Sequence, residues 1–352
     1  MNNLLKLLIF INLIDLASFN EGTSNNSFNN KNNLIIGLAY KYSWNEIRNF
    51  FISLKKVDFK NCDFVIFVRE MSKKTVRKIQ SCGVITYKVP KILKIPGFVY
   101  RYELYKDFLL ENKDKYNMVF TADIRDTIFQ KDIFQFYDYN KSFFGVFLED
   151  NNLDDEINKP WVLLFCDEKE FNNELAKKKI ICSGTLIGTV DKFIEFSNMF
   201  WNTIKDIRQM EKVFDQGVLN YLIYYKKIFN DSLIIKDNHD FLMTIGSTPR
   251  NKIILDKEYN ILNFNGNIAA VVHQYDRKKD ITKNLNTKYN DLNFNYSSFI
   301  KVNKNEINTF NQFLRRKWSN YQNNNFYFLP MFVVVVLLVL KINTVKIPKK
   351  VK

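Results

Sequence analysis

The sequence predicts an α/β fold in which a mostly parallel sheet is sandwiched by helices. Short runs of continuous apolar residues, typical of strands buried on both faces, alternate with segments whose apolar residues recur every three or four positions. Acidic residues directly follow one of these runs, where ligands bind in open parallel sheets. Hydrophobic residues form 46% and charged residues 25% of the 352 residues, which is ordinary for a chain with a core and excludes global disorder.

The first part of the predicted fold alternates strand and helix. The first strand is predicted at Leu34–Tyr40 (LIIGLAY), and Ser43 is placed to cap the helix that follows. The apolar positions of that helix are Trp44, Ile47, Phe50, Phe51 and Leu54. Further strands are predicted at Phe64–Val68, Val84–Tyr87 and Met118–Thr121, with a helix at Tyr100–Leu110 before the last of them. This alternation favours parallel strands joined by helices.

The next part is predicted to continue the sheet and its helical cover. Ile180–Gly188 is predicted to be a strand broken at Ser183 and Gly184, with a bulge within the sheet as the alternative. Core aromatic residues follow at helical spacing: Phe193, Phe196, Phe200 and Trp201. The acidic run Glu149–Glu156 has no calcium-loop spacing, so we expect a mobile loop there.

The N-terminal residues have the pattern of a targeting segment. Residues 1–19 combine an early lysine, an apolar stretch and small residues, which predicts a secretory signal peptide; an uncleaved anchor and a buried helix are the alternatives. Residues 20–33 are almost all polar and predict a disordered linker. The folded domain is expected to begin at about Leu34.

The C-terminal residues predict a membrane anchor. Residues 284–325 are rich in asparagine and predict a stem, although a helix near 307–318 could pack back on the domain. Residues 326–342 contain a long apolar run that predicts a transmembrane helix, with a buried strand or helix as the alternative, and residues 343–352 predict a basic cytoplasmic tail. The last four residues resemble a dilysine retrieval signal. These features predict a single-pass protein of the endoplasmic reticulum or Golgi membrane with a luminal domain.

Charge and cysteine spacing exclude several classes of site. The net charge of +15 favours acidic partners, but the lysines are scattered, so we expect no nucleic-acid binding. The four cysteines and two histidines show no zinc-binding spacing. Two disulfides or buried free thiols are both compatible with the cysteines. Four Asn-x-Ser sequons are compatible with a luminal glycoprotein: Asn25, Asn140, Asn230 and Asn295.

The strongest candidate site follows the predicted strand Met118–Thr121. Asp123 and Asp126 are three positions apart, so a tight turn would bring both carboxylates together, with Arg125 as a countercharge. Hard divalent cations such as Mn²⁺ or Mg²⁺ prefer such oxygen ligands, and a metal held there can bridge a diphosphate. A surface turn with a capping aspartate is the alternative.

Three segments resemble a known family in the same order along the chain. Val119–Phe134, Asp215–Asn220 and Val272–Arg277 resemble nucleotide-diphospho-sugar transferases of the GT-A type, whose domain would cover residues 34–283. The resemblance implies a Rossmann-like GT-A sheet in which an acidic pair binds manganese and the nucleotide-sugar. The usual family motif is Asp-x-Asp, whereas here the positions two before and two after Asp123 are Thr121 and Arg125. Asp126 would therefore be the second carboxylate.

The resemblance also implies roles for residues elsewhere in the chain. His273 would complete the metal shell. Asp215 and Gln216 would be catalytic residues on the sugar side, with a helix N-cap as the alternative for Asp215. Arg101 would lie near the donor, or else be an exposed arginine, and Gly184 would let the backbone approach the sugar.

Together these features predict a metal-dependent glycosyltransferase of the secretory pathway. It would move a sugar from a nucleotide-sugar donor to a hydroxyl of a glycan, protein or lipid acceptor. One alternative is a protein that keeps the GT-A fold without the chemistry, which the departure at Thr121 favours. Another is a peripheral protein whose charge binds anionic lipid.

Overall fold

The computed structural model describes residues 31–90, 96–207, 209–290 and 307–317. The predicted signal peptide (1–19), most of the predicted linker (20–33), the predicted transmembrane helix (326–342) and the predicted tail (343–352) lie outside the described residues. Within the described ranges, no helix combines the length and the apolar character needed to cross a bilayer.

Most of the strands form one central sheet. The described residues contain β1 Asn32–Tyr40, β2 Cys62–Arg69, β3 Ile85–Lys88, β4 Tyr116–Ala122, β5 Thr127–Phe129, β6 Phe144–Asn152, β7 Lys179–Thr189, β8 Leu233–Lys236, β9 Leu242–Thr244, β10 Ile254–Leu255, β11 Ile261–Leu262 and β12 Val271–His273. The central sheet has the order β3-β2-β1-β4-β7-β6-β8, and only β7 runs antiparallel to the others. The prediction of a mostly parallel sheet is confirmed.

Helices cover both faces of this sheet. They are α1 Trp44–Lys56, α2 Lys73–Ser81, α3 Gly97–Glu111, α4 Asn158–Val162, α5 Glu168–Glu170, α6 Val190–Ile204, α7 Asp215–Asn220, α8 Lys279–Lys288 and α9 at 307–317. Helix α1 begins after Ser43, as predicted, because the Glu46 carboxylate accepts hydrogen bonds from the Ser43 backbone N–H at 2.8 Å and from its hydroxyl at 2.7 Å.

The core consists of two layers, one on each face of the sheet. Alternate residues of β1 point to opposite faces, so that Leu34 and Ile36 join one apolar cluster and Ile35 joins the other. Helices α3, α6 and α9 pack on the first face. Helices α1 and α8 pack on the second, together with the small sheet β5-β12-β9.

The strand order creates a switch point beside β1. Strand β1 pairs in parallel with β2 on one side and with β4 on the other, so the chain runs outward from β1 through β2 to β3 and then crosses back to β4 on the opposite side. In open α/β sheets, ligands bind beyond the carboxyl ends of the strands at such a point. The turn that carries Asp123 and Asp126 directly follows β4 and therefore lies at this edge.

The structure differs from two local predictions. Strand β7 is continuous, not broken, but its register with β6 shifts between the pairs Leu148–Ile181 and Val146–Leu186, so the bulge alternative is confirmed. The acidic run Glu149–Glu156 is not a mobile loop, because its first four residues belong to β6 and its Leu153 side chain is fully buried.

The folded domain extends beyond the predicted boundary at residue 283. Helix α8 continues to Lys288, with Leu285 and Tyr289 buried in the core. Part of the predicted stem (284–325) also packs on the domain, because Phe310 and Leu314 of α9 are buried. The helix suggested near 307–318 is thus present and belongs to the domain.

Candidate active site

Two carboxylates and one imidazole converge at the switch point. Nε2 of His273 lies 3.6 Å from Oδ2 of Asp123 and 3.5 Å from Oδ1 of Asp126. One ligand atom from each residue lies within 4.8 Å of the other two. His273 and Asp126 are buried, whereas the Asp123 side chain is 40% exposed and opens the cluster to solvent. The acidic turn is therefore open to solvent at Asp123 and buried at Asp126.

Strand pairing places these residues together. Asp123 leaves β4, its backbone N–H donates to the Gly184 carbonyl at 2.9 Å, and Asp126 directly precedes β5. Strand β12 pairs antiparallel with β5, with His273 opposite Thr127. The histidine thus reaches the acidic turn although it lies far along the sequence.

His273 presents one ring nitrogen, Nε2, to the two carboxylates. Nδ1 lies 3.3 Å from the Cys182 sulfur, whereas Nε2, which faces the two carboxylates, has no hydrogen-bond partner among the described residues. Burial lowers the pKa of His273, but Cys182, Asp126 and Asp123 outweigh burial, so that this pKa lies well above its ordinary value. The two carboxylates favour positive charge at this nitrogen, and the three side chains are a set of donors that fits a divalent cation, which would take the place of the Nε2 proton.

Gly184 leaves room for this cluster. A Cβ at this position would lie 2.3 Å from Cε1 of His273 and 2.8 Å from Oδ2 of Asp123, distances that side chains do not tolerate. The predicted role of Gly184 was close approach of the backbone to a ligand. The structure shows that its first neighbours are the candidate metal ligands themselves.

Arg101 joins the metal cluster to Asp215. Its Nη1 donates to Asp123 at 2.5 Å, and its Nη2 donates to Asp215 at 2.5 Å and to the Ser183 carbonyl at 2.8 Å. Arg101 is only 6% exposed, so the alternative of an exposed arginine is wrong. Burial raises the pKa of Asp123, but Arg101 and His273 outweigh it and hold that pKa below its ordinary value.

Asp215 and Gln216 occupy the first turn of α7. The N-cap of this helix is Phe214, so the N-cap alternative for Asp215 is wrong. Asp215 accepts hydrogen bonds from Arg101 and from the Gln216 backbone N–H, and burial is the main cause that raises its pKa. The Gln216 side chain accepts from the Ser183 N–H at 3.1 Å and donates to Asn158 at 2.8 Å.

Arg125 lies at the outer edge of the cluster. Its Nη2 is 3.7 Å from Asp126 and 3.2 Å from Asp276, and its side chain is 45% exposed. It therefore provides the countercharge that the sequence predicted and remains accessible to a ligand.

Three residues near the site were missed by sequence reasoning. Cys182 contacts His273, Glu149 is buried near that thiol, and the Tyr102 hydroxyl lies 3.5 Å from Asp215. Cys182 could have been found, because it is two positions before Gly184 on a strand and so shares its face. Glu149 and Tyr102 belong to an acidic run and an aromatic helix that carry no local signal of a site.

Comparison with known proteins gives a weak structural likeness. No family model and no curated protein matches the chain. Among solved structures, the chain is similar to a galactosyltransferase, LgtC, in complex with donor and acceptor sugar analogs, with 14% identity and a TM-score of 0.41 over 72% of this chain and 95% of that chain. An identity and a TM-score this low assign no function to the chain.

Proposed function

We propose that this chain is a GT-A glycosyltransferase that uses a divalent cation to transfer a sugar from a nucleotide-sugar to an acceptor hydroxyl. The observation that carries the proposal is the convergence of Asp123, Asp126 and His273 beyond the carboxyl end of β4. The sequence resemblance of three ordered segments to GT-A enzymes supports the same activity.

The cluster has the composition expected of a Mn²⁺ or Mg²⁺ site. Asp123 and Asp126 would supply oxygen ligands, and His273 would supply Nε2. When bound, the cation supplies positive charge that stabilises the departing nucleoside diphosphate. The unpartnered Nε2 atom is the feature of this structure that fits a metal best.

The remaining residues of the site would orient the donor and the acceptor. Arg101 holds Asp123 and Asp215 as a connected pair, so neither carboxylate can rotate without breaking a charged hydrogen bond. Asp215 has lone pairs beyond those that bind Arg101 and the Gln216 N–H, and these could accept a sugar hydroxyl. Gln216, held by Ser183 and Asn158, would form the wall beside that sugar.

The proposed setting is the lumen of the endoplasmic reticulum or Golgi. It is supported by the signal-like residues 1–19 and the apolar run within 326–342. Two of the sequon asparagines, Asn140 and Asn230, are exposed in the structure. The acceptor would be a glycan, a protein or a lipid reached from that side of the membrane.

The direct test is release of nucleotide from a nucleotide-sugar. The purified full-length chain is incubated with UDP- and GDP-sugars in Mn²⁺, Mg²⁺ or EDTA, and the free nucleotide is measured. We expect release only with metal, and a loss of about 100-fold in Asp123→Asn and Asp126→Asn. Asp58→Asn is the matched control, because Asp58 is exposed and lies before β2, at the opposite edge of the sheet.

The outcomes separate the proposal from its alternatives. Release that persists in EDTA would contradict the metal site. Neither release nor calorimetric binding of any nucleotide-sugar would favour a fold without the chemistry. Equal release by Asp123→Asn and wild type would remove the candidate site from the reaction.

A further inference from the structure

Two residues of strand β7 lie against the two nitrogen atoms of the His273 ring. The Cys182 sulfur lies 3.3 Å from Nδ1, and a Cβ on Gly184 would lie 2.6 Å from Nε2. Cys182 and Gly184 are two positions apart, so they share one face of the strand. The imidazole therefore lies along β7 between a thiol and a position without a side chain.

A buried carboxyl group, that of Glu149, lies near the Cys182 thiol. Glu149 is 7% exposed, and its Oε1 has no hydrogen-bond partner among the described residues. Burial raises the pKa of Glu149, and the nearby His273 and Cys182 side chains act in the opposite direction. Glu149 therefore lies near Cys182, which contacts Nδ1 of His273, while Nε2 of the same ring faces the two aspartates.

We propose that Cys182, together with Glu149, is a positioning residue. It keeps Nε2 of His273 directed at the candidate metal position between Asp123 and Asp126. In this arrangement Nδ1–H of His273 donates to the Cys182 sulfur, and the Cys182 S–H donates to Glu149. The inference rests on the proposed function, because it concerns the proposed metal site.

The direction of these hydrogen bonds follows from what a metal ligand requires. An imidazole that binds a metal through Nε2 carries its proton on Nδ1 and generally donates it to an acceptor, which fixes the tautomer and the ring orientation. Thiol sulfur is the acceptor within reach of Nδ1. Cys182 is fully buried, so water does not compete for this contact.

The test measures the affinity for Mn²⁺ and needs no turnover. The full-length chain is titrated with Mn²⁺, and free Mn²⁺ is measured by electron paramagnetic resonance. We expect the dissociation constant to rise 10- to 100-fold in Cys182→Ala and Cys182→Val, and by less than about threefold in Cys182→Ser, whose hydroxyl retains a donor and an acceptor. Cys82→Ala is the matched control, because Cys82 is also buried but caps α2 through the Lys78 carbonyl.

The set of variants separates hydrogen bonding from packing. Serine and alanine are both smaller than cysteine, so a role in packing alone would weaken Cys182→Ser and Cys182→Ala alike. Hydrogen bonding predicts rescue by serine alone. If Cys182→Val misfolds by circular dichroism, the serine and alanine pair still decides the question. Glu149→Leu in the Cys182→Ala background should cause little further loss of Mn²⁺ affinity, because Glu149 acts on His273 through Cys182.

Every result bears on the inference. Wild-type affinity in Cys182→Ala, or equal losses in Cys182→Ala and Cys182→Ser, would overturn it while leaving the proposed function intact. Wild-type chain that binds Mn²⁺ but neither binds a nucleotide-sugar nor releases nucleotide from one, with the expected ranking of variants, would contradict the proposed function and support the inference. Wild-type chain that does not bind Mn²⁺ would overturn both.

Discussion

Gly184 and His273 lie so close that any side chain at position 184 would displace the imidazole or Asp123. A Cβ built on Gly184 would be 2.3 Å from Cε1 and 2.6 Å from Nε2 of the imidazole. The carbonyl of Gly184 also accepts the Asp123 N–H at 2.9 Å. One residue of β7 therefore positions both the first carboxylate and the histidine of the candidate metal site.

Gly184→Ala is expected to damage the metal site without unfolding the protein. The added methyl group must displace His273 or Asp123, so we expect the Mn²⁺ dissociation constant to rise at least ~10-fold. Calorimetric titration of Mn²⁺ measures it. Gly97→Ala is the control, because its Cβ would meet the end of the Leu38 side chain at 3.3 Å and the Tyr100 ring at 3.8 Å, neither of which belongs to the metal site. Equal affinities for the two variants would show that the histidine can move aside at no cost.

Arg101→Met is expected to lower the free energy of unfolding by about 3 kcal/mol. Removing the guanidinium leaves Asp215 buried without its cation and leaves Asp123 as a neighbouring like charge. Urea denaturation measures the change. Arg250→Met is the matched control, because Arg250 pairs with Asp280 at the same 2.5 Å but both side chains are exposed. This variant should lower the free energy of unfolding by less than about 1 kcal/mol. Similar losses in both variants would contradict the role assigned to burial.

The stabilising effect of Asp150 is expected to depend on pH. Burial raises the pKa of Asp150, but hydrogen bonds from His239, Thr248 and Asn238 outweigh burial and lower that pKa to about 2. The folded pKa lies below the unfolded value of about 3.9, so this stabilisation is present above pH 4 and is lost as the pH falls toward 2.

Asp150→Asn should therefore lower the free energy of unfolding at pH 6, on the order of 1 kcal/mol because the carboxylate is partly solvated. The difference from wild type should shrink between pH 4 and pH 2. Chemical denaturation across this pH range measures it. The exposed Asp191→Asn is the control and should cost less than about 0.5 kcal/mol at pH 6. A difference that stays constant down to pH 2 would refute the assignment.

The cysteines are expected to be unreactive thiols in the folded protein. All four are free in the structure, and burial raises the pKa of Cys82 to about 12 and that of Cys166 to about 11. At pH 8 these two are almost entirely protonated, so they should react slowly with a disulfide reagent until denaturant is added. Four thiols should then react without reductant. If the protein instead contained two disulfides, a possibility that the sequence left open, no thiol would react without reductant.

Phe310→Ala is expected to show that α9 belongs to the domain. The ring of Phe310 is 8% exposed and lies 5.0 Å from Tyr87 and 5.7 Å from Phe108 between ring centroids. Its removal should lower the free energy of unfolding by about 3 kcal/mol. Phe313→Ala, on the same helix but 37% exposed, should cost under about 1 kcal/mol. Equal small losses would place the segment outside the cooperative unit.

The local elements and the acidic turn were determined by the sequence itself. Continuous apolar runs predicted β1, β2, β3 and β4 within a few residues, because a strand covered on both faces needs apolar side chains on both. The same reasoning put Asp123 at the carboxyl end of β4. These features depend only on neighbours along the chain, and periodicity reports them directly.

Only the tertiary structure decided which residues meet at that turn. His273 arrives because β12 pairs with β5, and Arg101 is buried because Asp123 and Asp215 bind it from two sides. Cys182 and Glu149 reach the histidine through β7 and β6, across an irregular register. Such contacts depend on strand pairing between distant segments, which local periodicity does not encode. The resemblance to a family suggested His273 but not Cys182 or Glu149.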